Sequence, residues 1–135
     1  NTKFEETGVF TLEPIYHLTG ITWDKENLWV ANNGGGANNT SPESILMINK
    51  KGEILHSYTA PSSKPAGLAW KSPYLWHSDW SSQMIFKLGT NGNVVNYFPA
   101  PREWVMGIEW QDQYLWITNC KNGYDNLIKL EVTEK

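Results

Sequence analysis

The amino-acid sequence predicts an all-β chain built from tandem repeats, and two observations lead to that prediction. Three segments align without a gap, each opening on glycine and carrying two tryptophans: GITWDKENLWVAN from Gly20, GLAWKSPYLWHSD from Gly67 and GIEWQDQYLWITN from Gly107. No stretch combines apolar residues at helical spacing with helix caps. A period of roughly 40 residues made of short strands is typical of the blades of a β-propeller.

Each repeat is expected to form one four-stranded blade. In the first repeat the strands are predicted at 20–23, 28–32, 45–48 and 54–58. A polar turn joins the first two strands, and Asn49-Lys50-Lys51-Gly52 joins the last two, with glycine where a positive φ is needed. The glycine that opens each repeat suits a first strand crowded near the axis of a ring.

The chain is predicted to be a single half-propeller domain, residues 1–135. It divides into 1–19 as a strand completing a blade, 20–66 as blade 1, 67–106 as blade 2 and 107–135 as an incomplete blade 3. Thr7-Gly8-Val9-Phe10 matches the turn and fourth strand at 51–54, so residues 1–19 are expected to supply an outer strand.

Three blades are too few to close a ring, whereas six is a common number. We therefore expect a homodimer in which the N-terminal strand of each chain completes the last blade of the other. The alternative is that the sequence is a fragment of a longer single-chain propeller.

Composition excludes several other partners. The formal net charge is −3, with acidic and basic residues interspersed, which argues against a nucleic-acid groove or an anionic membrane surface. No apolar stretch approaches the roughly 20 residues of a membrane helix. One cysteine excludes an internal disulfide. The first ten residues lack the layout of a signal peptide, and a mature secreted protein would look the same, so the compartment stays open.

Eight tryptophans are the most unusual feature of the composition. Six recur at two equivalent positions of the repeats, where they are expected to fill space between blades: Trp23, Trp29, Trp70, Trp76, Trp110 and Trp116. Trp80 and Trp104 have no counterparts. With His17, Arg102 and Glu103 they are predicted to line a pocket at the channel mouth for a sugar, a peptide or a small anionic ligand. The alternative is that both cover the dimer seam or neighbouring loops.

Two further patterns concern polar residues in the second strands. A short polar side chain ends each of these strands: Asn32, Asp79 and Asn119. These side chains are candidate binding residues, expected either to bond loop amides or to have a metal-binding or catalytic role. In the third repeat the connection that follows is expected to be a loop from Asn119 to Asn126. His77 stands where the other repeats have Val30 and Ile117. It is interpreted either as a base poised near neutral pH or as a buried histidine with its hydrogen bonds satisfied.

The GLAW…YLWHSD pattern followed by IFKL…G…V resembles the repeats of a broad group of six-bladed propellers. That group includes NHL-repeat, virginiamycin B lyase-like, glutamine cyclotransferase-like and gluconolactonase-like proteins. The resemblance implies the fold and leaves the activity open. Gluconolactonase-like members hold a divalent cation with ligands just before the first strand of several blades. The matching residues here, Thr19, Ala66 and Met106, are poor ligands for a hard cation, so we expect no metal and no other cofactor.

Two functions from different classes follow from these patterns. The first, which we favour, is a non-catalytic module that closes into a ring and binds a small molecule, sugar or peptide at the channel mouth. The second is a lyase or hydrolase, with His17 or His77, Glu103 and Asp79 as acid–base candidates. Convergence of these groups within hydrogen-bond reach would favour the enzyme.

Overall fold

The computed structural model describes residues 3, 5–12, 17–35, 42–121 and 123–134. In this part of the chain eleven β-strands form three antiparallel sheets: β1 (Leu18–Trp23), β2 (Leu28–Asn32), β3 (Ser44–Ile48), β4 (Ile54–Thr59), β5 (Pro65–Lys71), β6 (Tyr74–Asp79), β7 (Met84–Leu88), β8 (Val94–Pro99), β9 (Val105–Gln111), β10 (Tyr114–Lys121) and β11 (Tyr124–Glu131). The described residues contain no helix long and apolar enough to cross a membrane.

Each sheet is a meander whose strands pair in chain order, which confirms the all-β prediction and the repeat. Blades 1 and 2 have four strands each, and blade 3 has three, β9 to β11. The hairpins between third and fourth strands turn at Gly52 and Gly92, with φ of 80° and 81°, as the glycine pattern predicted.

Adjacent blades pack face to face through two apolar cores. Blade 1 meets blade 2 through Trp29, Ala31, Ile45, Leu68, Leu75, Phe86 and Leu88. Blade 2 meets blade 3 through Ala69, Trp76, Ile85, Ala100, Val105, Ile108, Leu115 and Ile117. Trp29 and Trp76 are buried in these cores, and Trp70 and Trp110 pack against them, so four of the six recurrent tryptophans fill space between blades.

The inner strands β1, β5 and β9 lie side by side at a distance that only glycine permits. A Cβ on Gly67 would lie 2.5 Å from the carbonyl oxygen of Met106 and 3.0 Å from the amide nitrogen of Ile108. A Cβ on Gly20 would collide in the same way with the carbonyl oxygen of Ala66. These contacts bear out the expectation of crowding near the ring axis.

The N-terminal segment differs from the prediction. Described residues 5–12 form no strand, because no described strand lies beside their backbone. The predicted alignment of Phe10 with Ile54 is also wrong. Phe10 packs against Gly52 in the way that Tyr58 packs against Gly92: the Cβ atoms of the two aromatic residues lie 2.9 Å and 2.8 Å from the respective ideal glycine Cβ. Phe10 is therefore the counterpart of Tyr58.

We predict that Gly67→Ala destabilises the protein, because the added methyl group would overlap the backbone of β9. Overpacking of this kind costs about 1–3 kcal/mol. Urea denaturation should show that loss relative to the parent chain. Gly8→Ala is the matched control, since its Cβ would lie 4.0 Å from its nearest neighbour, a Phe10 ring atom. Equal stability of the two variants would contradict the close approach of β5 and β9.

Candidate functional site

One face of the molecule carries the connections that follow the second and fourth strands of each blade, and we call it the mouth face. In blades 2 and 3 it is formed by residues 60–64, 80–83 and 100–104. All eight predicted site residues lie on or next to this face because they end second strands or lie in these connections: His17, Asn32, Asp79, Trp80, Arg102, Glu103, Trp104 and Asn119.

Asp79 ties two connections of blade 2 together. Its buried Oδ2 accepts a hydrogen bond from the Lys64 amide at 2.6 Å, and its Oδ1 accepts bonds from the amides of Ser81 and Ser82 at 3.0 and 2.8 Å. Burial alone would raise the pKa of Asp79, but the hydrogen bonds donated by the Ser82 and Lys64 amides outweigh it and lower the pKa. Asp79 is thus a charged group used to bond loop amides.

Asn32 has the equivalent role in blade 1. Its Oδ1 accepts from the amide of Gly34 at 3.1 Å and from the amide of His17 at 3.4 Å. The His17 ring is held by its own blade, with Nδ1 2.6 Å from the carbonyl oxygen of Gly34. Among the described residues no hydrogen bond, ion pair or ring contact joins His17 to the other members of the predicted pocket.

Asn119, the third member of this set, departs from the pattern. Its Nδ2 donates to the carbonyl oxygen of Glu103 at 3.4 Å. Its Oδ1 is buried and has no hydrogen-bond partner among the described residues. Asn119 is only 7 % exposed, so the described part of the chain leaves a buried amide oxygen without a donor.

The reason is the shape of the β10–β11 connection. The predicted loop from 119 to 126 is wrong, because strand pairing continues to Lys121 and Tyr124, and no amide of a described residue donates to the Oδ1 of Asn119. Gly123, with φ of 77°, allows the tight turn. The sequence signal was present, since Asn122-Gly123 is a strong hairpin dipeptide.

An open groove of about 510 Å³ lies beside Asn119 on the mouth face. It is lined by Gln83, Pro101, Arg102, Glu103, Asn119, Lys121 and Asn126. Glu103 forms an ion pair with Lys121, and Arg102 donates from Nη1 to the carbonyl oxygen of Pro101 at 3.1 Å. The structure therefore brings Arg102, Glu103 and Asn119 together. Sequence analysis missed Lys121 and Asn126 because the hairpin was read as a loop, and no pattern singled out Gln83.

Trp80 and Trp104, the two tryptophans without counterparts in the other repeats, contact each other. Their ring centroids lie 6.0 Å apart, and the rings are nearly perpendicular, at 79°. Trp104 is 41 % exposed and has a φ of 55°, a conformation that bulky residues rarely adopt. Gln83, in the groove, also has a positive φ of 59°. Unfavourable backbone conformations of this kind concentrate at functional sites.

His77 fits neither of its two interpretations. It is fully buried on β6, where its ring stacks on Phe86 with centroids 5.6 Å apart. Neither ring nitrogen makes a hydrogen bond of standard geometry among the described residues, although a polar contact with the Gly67 backbone acts to raise the pKa of the ring, so the histidine is at best weakly bonded. Burial lowers the pKa of His77 to about 4, although the Asp79 carboxylate acts in the opposite direction, so the ring is neutral at pH 7.

The acid–base candidates do not form a hydrogen-bonded constellation. Within the described ranges no hydrogen bond joins any two of His17, His77, Asp79 and Glu103. Asp125 raises the pKa of the exposed Cys120 thiol by a side-chain hydrogen bond and by its charge, which disfavours the thiolate. No three His, Cys, Asp or Glu side chains of the described chain converge as metal ligands would.

The inner strands line a second depression of about 290 Å³, on the channel side. Thr19, Ala66 and Met106 lie there beside the crowded glycines. The Thr19 hydroxyl donates to the carbonyl oxygen of Pro65 at 3.0 Å, which links blade 1 to blade 2. These three residues present no carboxylate to the channel.

Comparison with solved structures identifies the architecture. Glutaminyl cyclase from Myxococcus xanthus superimposes with a TM-score of 0.66 at 14 % identity, over 84 % of this chain and 47 % of that one. The PQQ-bound aldose sugar dehydrogenase from Streptomyces coelicolor gives 0.64 at 14 % identity, over 87 % and 43 %. Virginiamycin B lyase from Staphylococcus aureus gives 0.58 at 20 % identity, over 87 % and 42 %.

The chain has the β-propeller fold. The resemblance seen in the repeats is thereby confirmed for the fold, and at these identities the solved propellers show nothing further. The chain spans less than half the length of each of the three solved chains. No protein-family model and no curated protein sequence matches it.

We predict that His77→Ile stabilises the propeller, and more so in acid. A base whose pKa is about 4 when folded and 6.5 when unfolded binds its proton first in the unfolded state, so stability is lost as the pH falls from about 6.5 toward 4. Between pH 7.5 and pH 5 that loss is about 2 kcal/mol. Urea denaturation at pH 7.5 and at pH 5 should show no such loss of stability in the His77→Ile variant.

The matched control is Ile117→Val at the equivalent position of blade 3. It introduces no titratable group, so its effect should be the same at pH 7.5 and at pH 5. A His77→Ile chain that keeps the acid sensitivity of the parent would show that another group is responsible for it.

Proposed function

We propose that this protein is a non-catalytic propeller module that binds a small acidic sugar in the groove beside blade 3. The observation that carries the proposal is Asn119, a lining residue of that groove whose buried Oδ1 has no hydrogen-bond partner among the described residues. In blades 1 and 2 the equivalent oxygen is fully used in bonding loop amides. In blade 3 the Oδ1 of Asn119 makes no such bond to a described loop amide, and a hydroxyl group of a ligand would satisfy it by donating a hydrogen bond.

The charges of the groove indicate the class of ligand. Arg102 and Lys121 provide two positive charges, and Glu103 provides one negative charge that already pairs with Lys121. The Arg102 guanidinium bonds only a neutral carbonyl among the described residues, so a ligand carboxylate could engage its remaining donors. The side chains of Gln83 and Asn126 add amide groups suited to sugar hydroxyls.

An exposed tryptophan, Trp104, follows the groove residue Glu103 in the sequence. It is 41 % exposed and is braced edge-to-face by Trp80. Sugar rings stack their C–H faces on exposed aromatic rings of this kind, while their hydroxyls bond neighbouring polar groups. The combination of an aromatic ring, amides and one net positive charge favours a uronic acid over a neutral sugar or a peptide.

We predict that a uronic-acid disaccharide binds with higher affinity than its neutral parent disaccharide. Because Trp104 is exposed, tryptophan fluorescence should report the titration. Arg102→Gln should weaken binding about tenfold or more, the usual loss for a hydrogen bond to a charged group. Asn119→Leu should weaken binding too, with unfolding curves confirming that it folds.

The control is Lys51→Gln, which removes the same charge from an exposed lysine on the β3–β4 hairpin. This variant should bind as the parent does. Two outcomes would contradict the proposal. One is the absence of saturable binding by either disaccharide, and the other is equal affinity of the parent and Arg102→Gln.

We further propose that two copies of the chain close one ring. The outer faces of blades 1 and 3 support this, because each carries the side chains that elsewhere pack between blades. Ile21 is 63 % exposed, whereas its counterparts Leu68 and Ile108 are 4 % and 7 % exposed. Leu127 is 68 % exposed, whereas its counterpart Ile85 is 3 % exposed. Apolar faces of this kind favour association.

The backbone and hydroxyl contacts of β9 support the same proposal. Gly67 donates its amide to the Ser78 hydroxyl, which in turn donates to the carbonyl oxygen of Met106 in the next blade. Gly107 donates equivalently to the Thr118 hydroxyl at 3.0 Å, and no hydrogen bond from that hydroxyl is seen among the described residues. A Cβ on Gly107 would approach only Thr118. The glycine fits a further blade that would lie there.

We predict a solution mass of twice 15.4 kDa by light scattering. Gly107→Ala should weaken the dimer at least tenfold, because the methyl group would overlap the second copy. Unfolding of the dissociated chain should change little, since within the described chain the methyl group would approach only the Thr118 hydroxyl, at 3.0 Å. Asn93→Ala, which changes an exposed residue on the β7–β8 hairpin of the central blade, serves as control. A monomer at all concentrations, or a Gly107→Ala dimer as stable as that of the parent, would contradict the proposal that two copies close one ring.

A further inference from the structure

We infer that residues 9–12 of each copy form the fourth strand of blade 3 in the other copy, with Phe10 paired to Leu127. This rests on the proposed closure of the ring and goes beyond it, since it assigns the strand and its register. The first support is the packing of Phe10. Tyr58, on the fourth strand of blade 1, covers Gly92 of blade 2, and Phe10 covers Gly52 of blade 1 with the same atoms in the same order.

The residue two positions further on repeats the equivalence. Ala60 follows Tyr58 by two and packs into the core between blades 1 and 2. Leu12 follows Phe10 by two and packs on the cluster of Val30, Leu46 and Ile48, on the outer face of blade 1. Two alternate side chains of the segment therefore occupy the inward positions of a fourth strand.

A fourth strand that packs on blade 1 belongs to the blade in front of blade 1. The fourth strand of blade 1, which carries Tyr58, pairs with the third strand of blade 1 and covers blade 2. The fourth strand of blade 2, which carries Phe98, pairs with the third strand of blade 2 and covers blade 3. The backbone of described residues 5–12 pairs with no strand. The segment thus has its side-chain contacts with blade 1 and lacks the third strand that should lie beside it.

Blade 3 shows the converse arrangement among the described residues. The outer edge of β11, its third strand, pairs with no other strand of the described chain. Its outer face also matches the face of blade 2 that packs on a following blade, with Trp116, Thr118 and Leu127 in the places of Trp76, Ser78 and Ile85. An open edge of this kind accepts a strand from another chain. The N-terminal segment and blade 3 complement each other, so the partner is a second copy.

The register follows from the other two blades. Ile45 pairs with Tyr58 and Ile85 pairs with Phe98, and Leu127 is the equivalent third-strand residue because Thr118 pairs with it as Ser78 pairs with Ile85. Leu127 should therefore lie opposite Phe10 of the partner subunit. A shift by one residue would turn Phe10 and Leu12 away from the core, so the register is strongly specified.

One backbone hydrogen bond checks the assignment. Ala60 donates its amide to the carbonyl oxygen of Glu43 at 3.0 Å, and Ala100 donates to that of Gln83 at 2.9 Å. The counterparts of these pairs are Leu12 and Asp125. The same bond would join the Leu12 amide of one copy to the Asp125 carbonyl oxygen of the other.

The test is a disulfide across the inferred strand pair. In a Cys120→Ser background, Thr11→Cys and Asn126→Cys place two cysteines directly opposite each other, within disulfide reach. Mild oxidation should convert most of the protein to a covalent dimer, seen by mass spectrometry without reductant. The control pairs Thr11→Cys with Asp125→Cys, whose side chain leaves the opposite face of the strand, and should cross-link at least tenfold less.

Mixing the two single-cysteine chains shows which copy supplies the strand, since only a bond between unlike chains agrees with the exchange. A bond within one chain, a ladder of higher oligomers, or equal cross-linking in the control would overturn the inference. Light scattering on the same samples separates the two proposals. A dimer that does not cross-link at this register overturns the exchange alone, and a monomer overturns the ring closure as well.

Discussion

The structure depends on the contact between inner strands at glycine. At Gly20 and Gly67 the backbone of one blade meets the backbone of the next so closely that no Cβ fits. This contact brings neighbouring sheets into register over their whole width, so that Trp29 and Trp76 are buried between them. The apolar cores then follow, because each sheet can bury its side chains only against another sheet at this spacing.

Within that packing, polar groups are tolerated only where the connections satisfy them. Asp79 and Asn32 lie at the ends of their strands, where their side-chain oxygens accept hydrogen bonds from loop amides of the same blade. These bonds hold the mouth-face loops in place. His77 is the exception inside the interface, and its lowered pKa reflects the cost of burying a titratable ring, which the Asp79 charge and the Gly67 backbone offset only in part. Val30 and Ile117 at the equivalent positions show that the fold does not require a polar group there.

The repeat pattern was sufficient to predict the blades, their turns and the packing of four recurrent tryptophans, because these features depend on contacts that recur in each blade. It failed where a contact depends on residues distant in the sequence. The register of Phe10 is set by Gly52 on a later hairpin, and no local pattern reports that packing. The groove was half predicted: Arg102, Glu103 and Asn119 line it, but Lys121 was missed because the β10–β11 connection breaks the repeat.

Blade 3 departs from the other blades at Asn119, whose Oδ1 has no described partner, and at the unpaired outer edge of β11. Both features belong to the β10–β11 hairpin, so the proposed ligand groove and the proposed ring seam are coupled. Asn126 lines the groove, pairs with Asn119 on β10, and would lie opposite the partner's Thr11 on its other side. Addition of that strand would restrain β11 and with it one wall of the groove. A ligand that binds the restrained groove more tightly than the open one must then strengthen dimerisation by the same factor, since the coupling of two binding equilibria is reciprocal.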